Sequence, residues 1–279
     1  MYAAGKFHRF GYPSDVSDDE WEILSPLLPK EKPGGRHREV DLRDMVNGSL
    51  YILRGGCAWR MMPHEYGPWS TVYDYFRKWR LSGLWEFINA FLRGKVRQKA
   101  GRQALPTAAI IDSQSVKTTH RGGVRGYDGH KQVNGRKRHI VVDTQGLLLK
   151  VVVHSAGLVD TVSGYLAVKD LPHLLPTLKH LWVDAGYRGE FVEWVKKNLG
   201  WTVEVVQHPS LYTYAPIDQP PPPVASGFAV LPRRWVVERT FAWFGFSRRL
   251  SKDYEFLPST SETWMYLAMS KLMLRRLTH

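Results

Sequence analysis

The hydrophobic period of this chain changes near residue 105, and that change restricts the fold more than any other feature of the sequence. Before it, apolar and aromatic residues recur every three or four positions, the spacing of amphipathic helices. Ser17 and Glu20 make a capping-box pair ahead of EWEILSPLL. Asp41 caps DLRDMVNGSLYILR, where Leu42, Val46, Leu50 and Leu53 form an apolar stripe that Gly55-Gly56 ends. WSTVYDYFRKWRLSG turns Val72, Tyr75, Phe76 and Trp79 inward. LWEFINAFLRGKVRQK closes on a basic run suited to a helix C-terminus.

Beyond the basic segment 93–106 the pattern becomes short, β-rich runs. TAAIIDSQSV, KRHIVVDT, LLLKVVVHS, HLWVDAGY and TVEVVQH predict five strands, the second and third joined by the tight turn Asp143–Gly146. Helical stretches, DTVSGYLAVKDLPHLL and GEFVEWVKKNLG, fall between strands three and four and between four and five. Crossover helices of this kind predict a mixed sheet with strands one, four and five parallel, a layered α/β sandwich. The expected division is a helical part over 1–100 and an α/β part over 101–279. The stretch 211–227, with Pro220 to Pro223 inside it, is read as a surface loop. There is no internal repeat.

Two aspartates lie inside apolar strands. Asp112 follows Ile110 and Ile111, and Asp184 ends HLWVDAGY, where Gly186 lets the chain turn away. A carboxylate in such surroundings is costly unless a cation or strong donors accompany it. Ligands gather outside the C-terminal ends of parallel strands, so two such aspartates on neighbouring strands suit a hard divalent cation. A lone Asp at a strand end is more often a turn former, and Asp143 is that plainer case. A third carboxylate, Glu238, lies four residues after Arg234 on a helical segment. Taken alone, such a pair is a surface ion pair worth a few tenths of a kcal/mol. Its setting among Arg233, Arg239, Arg248 and Arg249 instead suits a metal site flanked by phosphate-holding cations.

The formal net charge is +13, which favours a polyanionic partner. No run of about 20 apolar residues exists to span a membrane, and the first residues lack the apolar core of a signal peptide. Cys57 is the only cysteine, which excludes an internal disulfide and a cysteine-based zinc site. Nucleic acid is the expected partner and the cytoplasm the expected compartment. Lys117, His120, Lys131, Arg136, Lys137 and Arg138 cluster around the first two strands, either as a solvated basic loop or as a DNA backbone groove. His37, His64, His130, His139, His154 and His173 show no metal-ligand spacing. Of the 11 tryptophans, core packing accounts for most, with stacking on unpaired bases open to one or two.

At these residues the sequence resembles the DDE transposases of bacterial insertion elements, insertion-sequence family five. The matching stretches are DDEWEILSPLLP, LRGGCAWRMMPHEYGPWSTVYDYFRKW, IIDSQSVKTT, GRKRHIVVDTQGLLLKVVVH, WVDAGYRG and PRRWVVERTFAWFGFSRRLSKDYE, which together run from about residue 17 to 255. The resemblance implies a ribonuclease-H-like catalytic domain with Asp112, Asp184 and Glu238 as its acids, holding two Mg²⁺ ions for which Mn²⁺ can substitute. It also implies an N-terminal all-helical domain that contacts the terminal inverted repeats. Within it, the segment from Leu50 to Trp79 reads either as a helix-turn-helix-like reader with Thr71, Arg77 and Lys78 reaching DNA or as a helical cap or dimerisation unit. The expected activity is hydrolysis at the element ends followed by joining of the 3′-hydroxyl to target DNA, carried out by a homodimer at the nucleoid. The superfamily's Tyr-Arg-Glu-Lys pattern is matched by Arg234 and Glu238. Leu231 stands at the Tyr position and Gly245 at the Lys position, with Arg248 or Arg249 nearby to hold the end phosphate. Two rival readings are a nuclease of the same fold and a transposase-derived protein that binds DNA without cutting it.

Overall fold

A computed structural model describes residues 11–31, 34, 37–206 and 233–279. The proline-rich stretch 211–227, the end of the fifth expected strand and Leu231 lie outside the described residues. Helices α1 (Asp18–Leu24), α2 (Leu42–Gly55), α3 (Trp69–Leu81) and α4 (Leu84–Lys99) precede strands β1 (Ala108–Lys117), β2 (Gly126–Asp128), β3 (Val133–Asp143) and β4 (Leu148–Ser155). Then come α5 (Asp160–Val168), α6 (Leu171–Leu174), β5 (His180–Val183), α7 (Glu190–Trp194), β6 (Thr202–Val205), α8 (Arg234–Gly245) and α9 (Pro258–Thr278).

The helix boundaries follow the sequence chemistry. Ser17 and Glu20 form the reciprocal capping box at α1. Asp41 accepts the Arg43 N–H at the start of α2, which ends at Gly56 with φ 71°. Between α2 and α3, residues 56–68 carry two short 3₁₀ turns, Trp59–Met61 and His64–Tyr66.

The sheet runs β2-β3-β1-β5-β6, with β4 also pairing β3. β1, β5 and β6 are parallel, and β3 is antiparallel to both β1 and β4. This is the mixed, ribonuclease-H-like arrangement expected from the strand and helix order. The short strand β2 adds to the five expected strands. The β3–β4 turn closes as predicted: Gly146, at φ 82°, donates to the Asp143 carbonyl at 2.9 Å, and the Asp143 carboxylate takes the N–H groups of Gln145 and Leu147.

Alternation along the strands splits the core in two. Ile110, Ile140, Val142 and Val151 face one cluster shared with the N-terminal helices, α8 and α9. Ala109, Ile111, Val141 and Leu181 face the other, closed by side chains of α5, α7 and the segments around them. The C-terminal helix joins the two halves of the chain, since Trp264 of α9 stacks on Phe76 of α3 at 4.1 Å and on Trp59 at 5.7 Å. Among the described residues no helix is long and apolar enough to cross a membrane.

Candidate active site

Strand register brings the two aspartates together. The last β1–β5 pair is Ile110 with Trp182, and both chains continue two residues further to Asp112 and Asp184. A period of two turns both carboxylates to the face that carries Ile110 and Trp182, beside α8. Asp112 is 8% exposed and takes the Ser113 N–H at 2.7 Å. Asp184 caps the turn Ala185–Tyr187 by accepting from Gly186 at 2.8 Å. Glu238, one turn into α8, reaches this pair through an arginine. Arg234 lies 3.3 Å from Glu238 and 3.8 Å from Asp184.

Electrostatics set this corner apart. Burial first, then the neighbouring Asp184 charge, pushes the Asp112 carboxyl up to about 6 against the pull of Ser113 N–H, Arg234 and Lys131. Burial and the charges of Asp112, Asp160 and Asp184 drive the Tyr187 hydroxyl well above its usual range. Two carboxylates repelling each other in a confined place, with a guanidinium drawn to their edge, match the donor chemistry of a divalent oxygen-ligand site. Asp112 and Asp184 fit such an ion, and the next carboxylate is Glu238, across Arg234. Among the described residues no three His, Cys, Asp or Glu side chains already converge on one metal position.

A fourth acid, absent from the sequence reading, borders this corner. Asp160 opens α5, and a Cβ on Gly186 would sit 3.0 Å from Asp184 Oδ1 and 3.4 Å from Asp160 Oδ2, so the glycine keeps the two acids close. Asp160 accepts from Ser113 Oγ at 3.2 Å and Lys137 Nζ at 3.0 Å, and lies 3.5 Å from His139 Nε2. Lys131 donates to Ser113, and Asp128 pairs with Lys137 at 3.4 Å. Behind them His139 contacts His154 at 2.9 Å, and burial lowers both imidazoles below the usual range, His139 furthest. The available signal was the alternation of β3, which puts Lys137 and His139 on one face with Val141. An inward lysine needs an acid, and the first residue of the following helix supplies it.

The expected basic residues divide into two groups. Arg136, Lys137 and Arg138 are buried, not laid along an open groove, because β3 is an inner strand covered on both faces. Arg136 pairs with Asp253 at 3.1 Å and donates to the carbonyls of Val124, Glu255 and Phe256. Arg138 donates to the Leu250 and Lys252 carbonyls, and burial lowers it to about 10. Arg249 is also internal, held by Glu255 at 2.7 Å and the Cys57 carbonyl. Lys117, Arg77, Lys78 and Arg248 are exposed and Thr71 half-buried. Arg239 lies between Trp235 and Trp243 and donates to the Gln145 carbonyl.

The chain is similar to known sequences along most of its length. A model described as "Putative transposase of IS4/5 family" matches residues 16–89, and one described as "Transposase DDE domain" matches residues 103–273. The chain is 31% identical over 113 residues to an uncharacterized 16.2 kDa protein of insertion element IS402 from Burkholderia cepacia, covering 38% of this chain and 76% of that protein. It is 26% identical over 111 residues to the uncharacterized protein y4sN of Sinorhizobium fredii, covering 39% of this chain and 82% of that one. No solved structure matches. The DDE-domain match begins just ahead of β1 and runs into α9, so it takes in both aspartates and the helix of Glu238, and on that span this chain belongs to the DDE transposases of bacterial insertion elements.

Proposed function

We propose that this transposase cuts the ends of its insertion element by metal-dependent hydrolysis and joins the freed 3′-hydroxyl to target DNA. The observation that carries the reading is the Asp112–Asp184 pair, in register and mutually repelling, tied to Glu238 through Arg234. Asp112, Asp184 and Glu238 would hold two Mg²⁺ ions. When bound, the ions activate a water and stabilise the leaving oxygen.

The chain's own groups prepare that corner. The Ser113 N–H and the Gly186 N–H aim the two carboxylates, and Asp160, accepting from Ser113 Oγ, holds the strand residue next to Asp112. Arg234 spans the acids and, once cations take up their charge, is free to meet the scissile phosphate. Exposed Lys117 and Arg248, with Arg239, line the approach for the backbone, while Lys137 is held by Asp160 and Asp128, and Arg136, Arg138 and Arg249 tie down the segment 250–256. Residues 1–100 bind the terminal inverted repeats, with Thr71, Arg77 and Lys78 toward DNA, and residues 101–279 perform the chemistry. A homodimer pairs two ends at the nucleoid.

The test is a plasmid carrying the element ends with the purified protein, with and without Mg²⁺ or Mn²⁺. Asp112→Asn, Asp184→Asn and Glu238→Gln should each lower cleavage by on the order of 10³-fold or more, the scale of losing one member of a catalytic unit. Full activity in any one of them, or in the absence of divalent metal, would sink the assignment.

A further inference from the structure

A second cleft lies away from the acids, where the N-terminal helices meet the C-terminal part of the chain. It encloses about 500 Å³. Four separate pieces build it: the 3₁₀ turn at Trp59 with α3, Arg121 after β1, Arg249, and the segment 255–260 entering α9. Its floor is Trp59, stacked on Trp264. One wall is Trp69, 37% exposed, with Arg60 over its ring at 5.2 Å. Tyr73, 39% exposed, meets Trp59 edge-on at 5.2 Å. Phe256, 56% exposed, stands at the mouth.

The charge around these rings is one-sided. Arg60, Arg77, Arg80, Arg121 and Arg249 line the cleft against a single acid, Glu255. That acid is already committed, accepting from Arg249 at 2.7 Å and from the Trp264 indole at 3.1 Å. Arg80 reaches only the Ser259 hydroxyl, and Arg60, Arg77 and Arg121 form no ion pair among the described residues. Solvent-facing aromatic walls need a flat apolar face to cover them. Unpaired guanidiniums at their lip need an anion within one residue's reach of that face.

We infer that this cleft takes one unpaired nucleotide of a DNA strand, its base against Trp69 and Tyr73 and its flanking phosphates on Arg60, Arg77 and Arg121. A duplex cannot use the walls, because each base in it is already covered by its neighbours; only a base out of the stack has a free face to offer. The inference rests on DNA being the partner, and does not depend on which acids cut it.

Binding is read by fluorescence anisotropy without divalent metal, so the result stands apart from any cleavage assay. The probes are an oligothymidine strand and a blunt mixed-sequence duplex of equal length. Trp69→Ala combined with Tyr73→Ala should weaken single-strand binding about tenfold or more, the scale of losing a base-stacking platform, and change duplex binding less than about twofold. Trp69→Phe with Tyr73→Phe, which keeps the rings, should restore single-strand binding; both residues are half-exposed, and circular dichroism checks that each variant is folded. Arg77→Ala with Arg121→Ala should weaken single-strand binding and flatten its salt dependence. Equal losses for strand and duplex in the ring-deleted variant would mean a general backbone surface and overturn the inference. So would no loss for either probe, or no measurable single-strand binding by the unaltered protein.

Discussion

Two buried aspartates of the same sheet are treated in opposite ways. Asp143, at the end of β3, is fully buried, pairs with Arg97 at 2.5 Å and takes the N–H groups of Gln145 and Leu147 at 2.9 Å. Every demand of that carboxylate is met inside the protein. Asp112, in β1, is almost as buried but receives one backbone N–H and faces a second carboxylate. The first is a staple. The second is a charge the fold holds at a cost, and held strain of that kind accumulates where an external cation is to be bound.

The same substitution at the two positions should therefore move stability in opposite directions in metal-free protein. Asp143→Asn leaves the Arg97 guanidinium buried without its counter-charge and should cost about 3–5 kcal/mol. Asp112→Asn removes a repelled charge. With the carboxyl raised from 3.8 to about 6, and ~1.4 kcal/mol per unit, it should stabilise the protein by up to about 3 kcal/mol at pH 8. Urea unfolding of the three proteins measures both. Destabilisation by Asp112→Asn as large as that by Asp143→Asn would erase the contrast.

The pH dependence sharpens the same point. A carboxyl whose folded value lies above its unfolded one binds its proton more tightly in the folded state. Its adverse contribution is fully present above about 6, shrinks as pH falls, and is gone below the unfolded 3.8. Metal-free wild-type protein should thus close most of its stability gap to Asp112→Asn between about pH 7 and pH 4. A gap that stays constant across that window would mean that neither burial nor Asp184 raises the Asp112 carboxyl.

How much of this could be read from residues alone differs between the two kinds of charge. Asp112 and Asp184 stood out because each interrupts an apolar run at a strand that had to be buried. Local sequence carries that signal. The fates of Arg136 and Arg138 were not legible, since a strand entered through three consecutive basic residues reads as solvated until its neighbours are known. The groups that meet them are remote: Asp253 lies 117 positions from Arg136, and the Leu250 carbonyl 112 positions from Arg138. Asp160 was hidden for a related reason, because at the head of a helix it looked like an ordinary first-turn acid. Glu238 was singled out by its resemblance to known transposases, and the ion contacts of Arg234 now give it a physical link to the pair.

Divalent metal should cancel most of the stability advantage of Asp112→Asn. An ion that binds only the folded state adds RT ln(1 + [L]/Kd), about 2.7 kcal/mol at a hundred times Kd. Mn²⁺ should raise the wild-type melting temperature, and less so below about pH 6, where the proton competes for Asp112. Asp112→Asn and Asp184→Asn should lose the rise. Glu238→Gln should keep part of it, because that side chain is half exposed and reaches the pair only across Arg234. Asp143→Asn, though far less stable, should show the full rise, since its carboxylate belongs to the staple. If Mn²⁺ raised Asp112→Asn as much as wild type, the two aspartates would differ in comfort but not in purpose, and the strain at Asp112 would need another explanation.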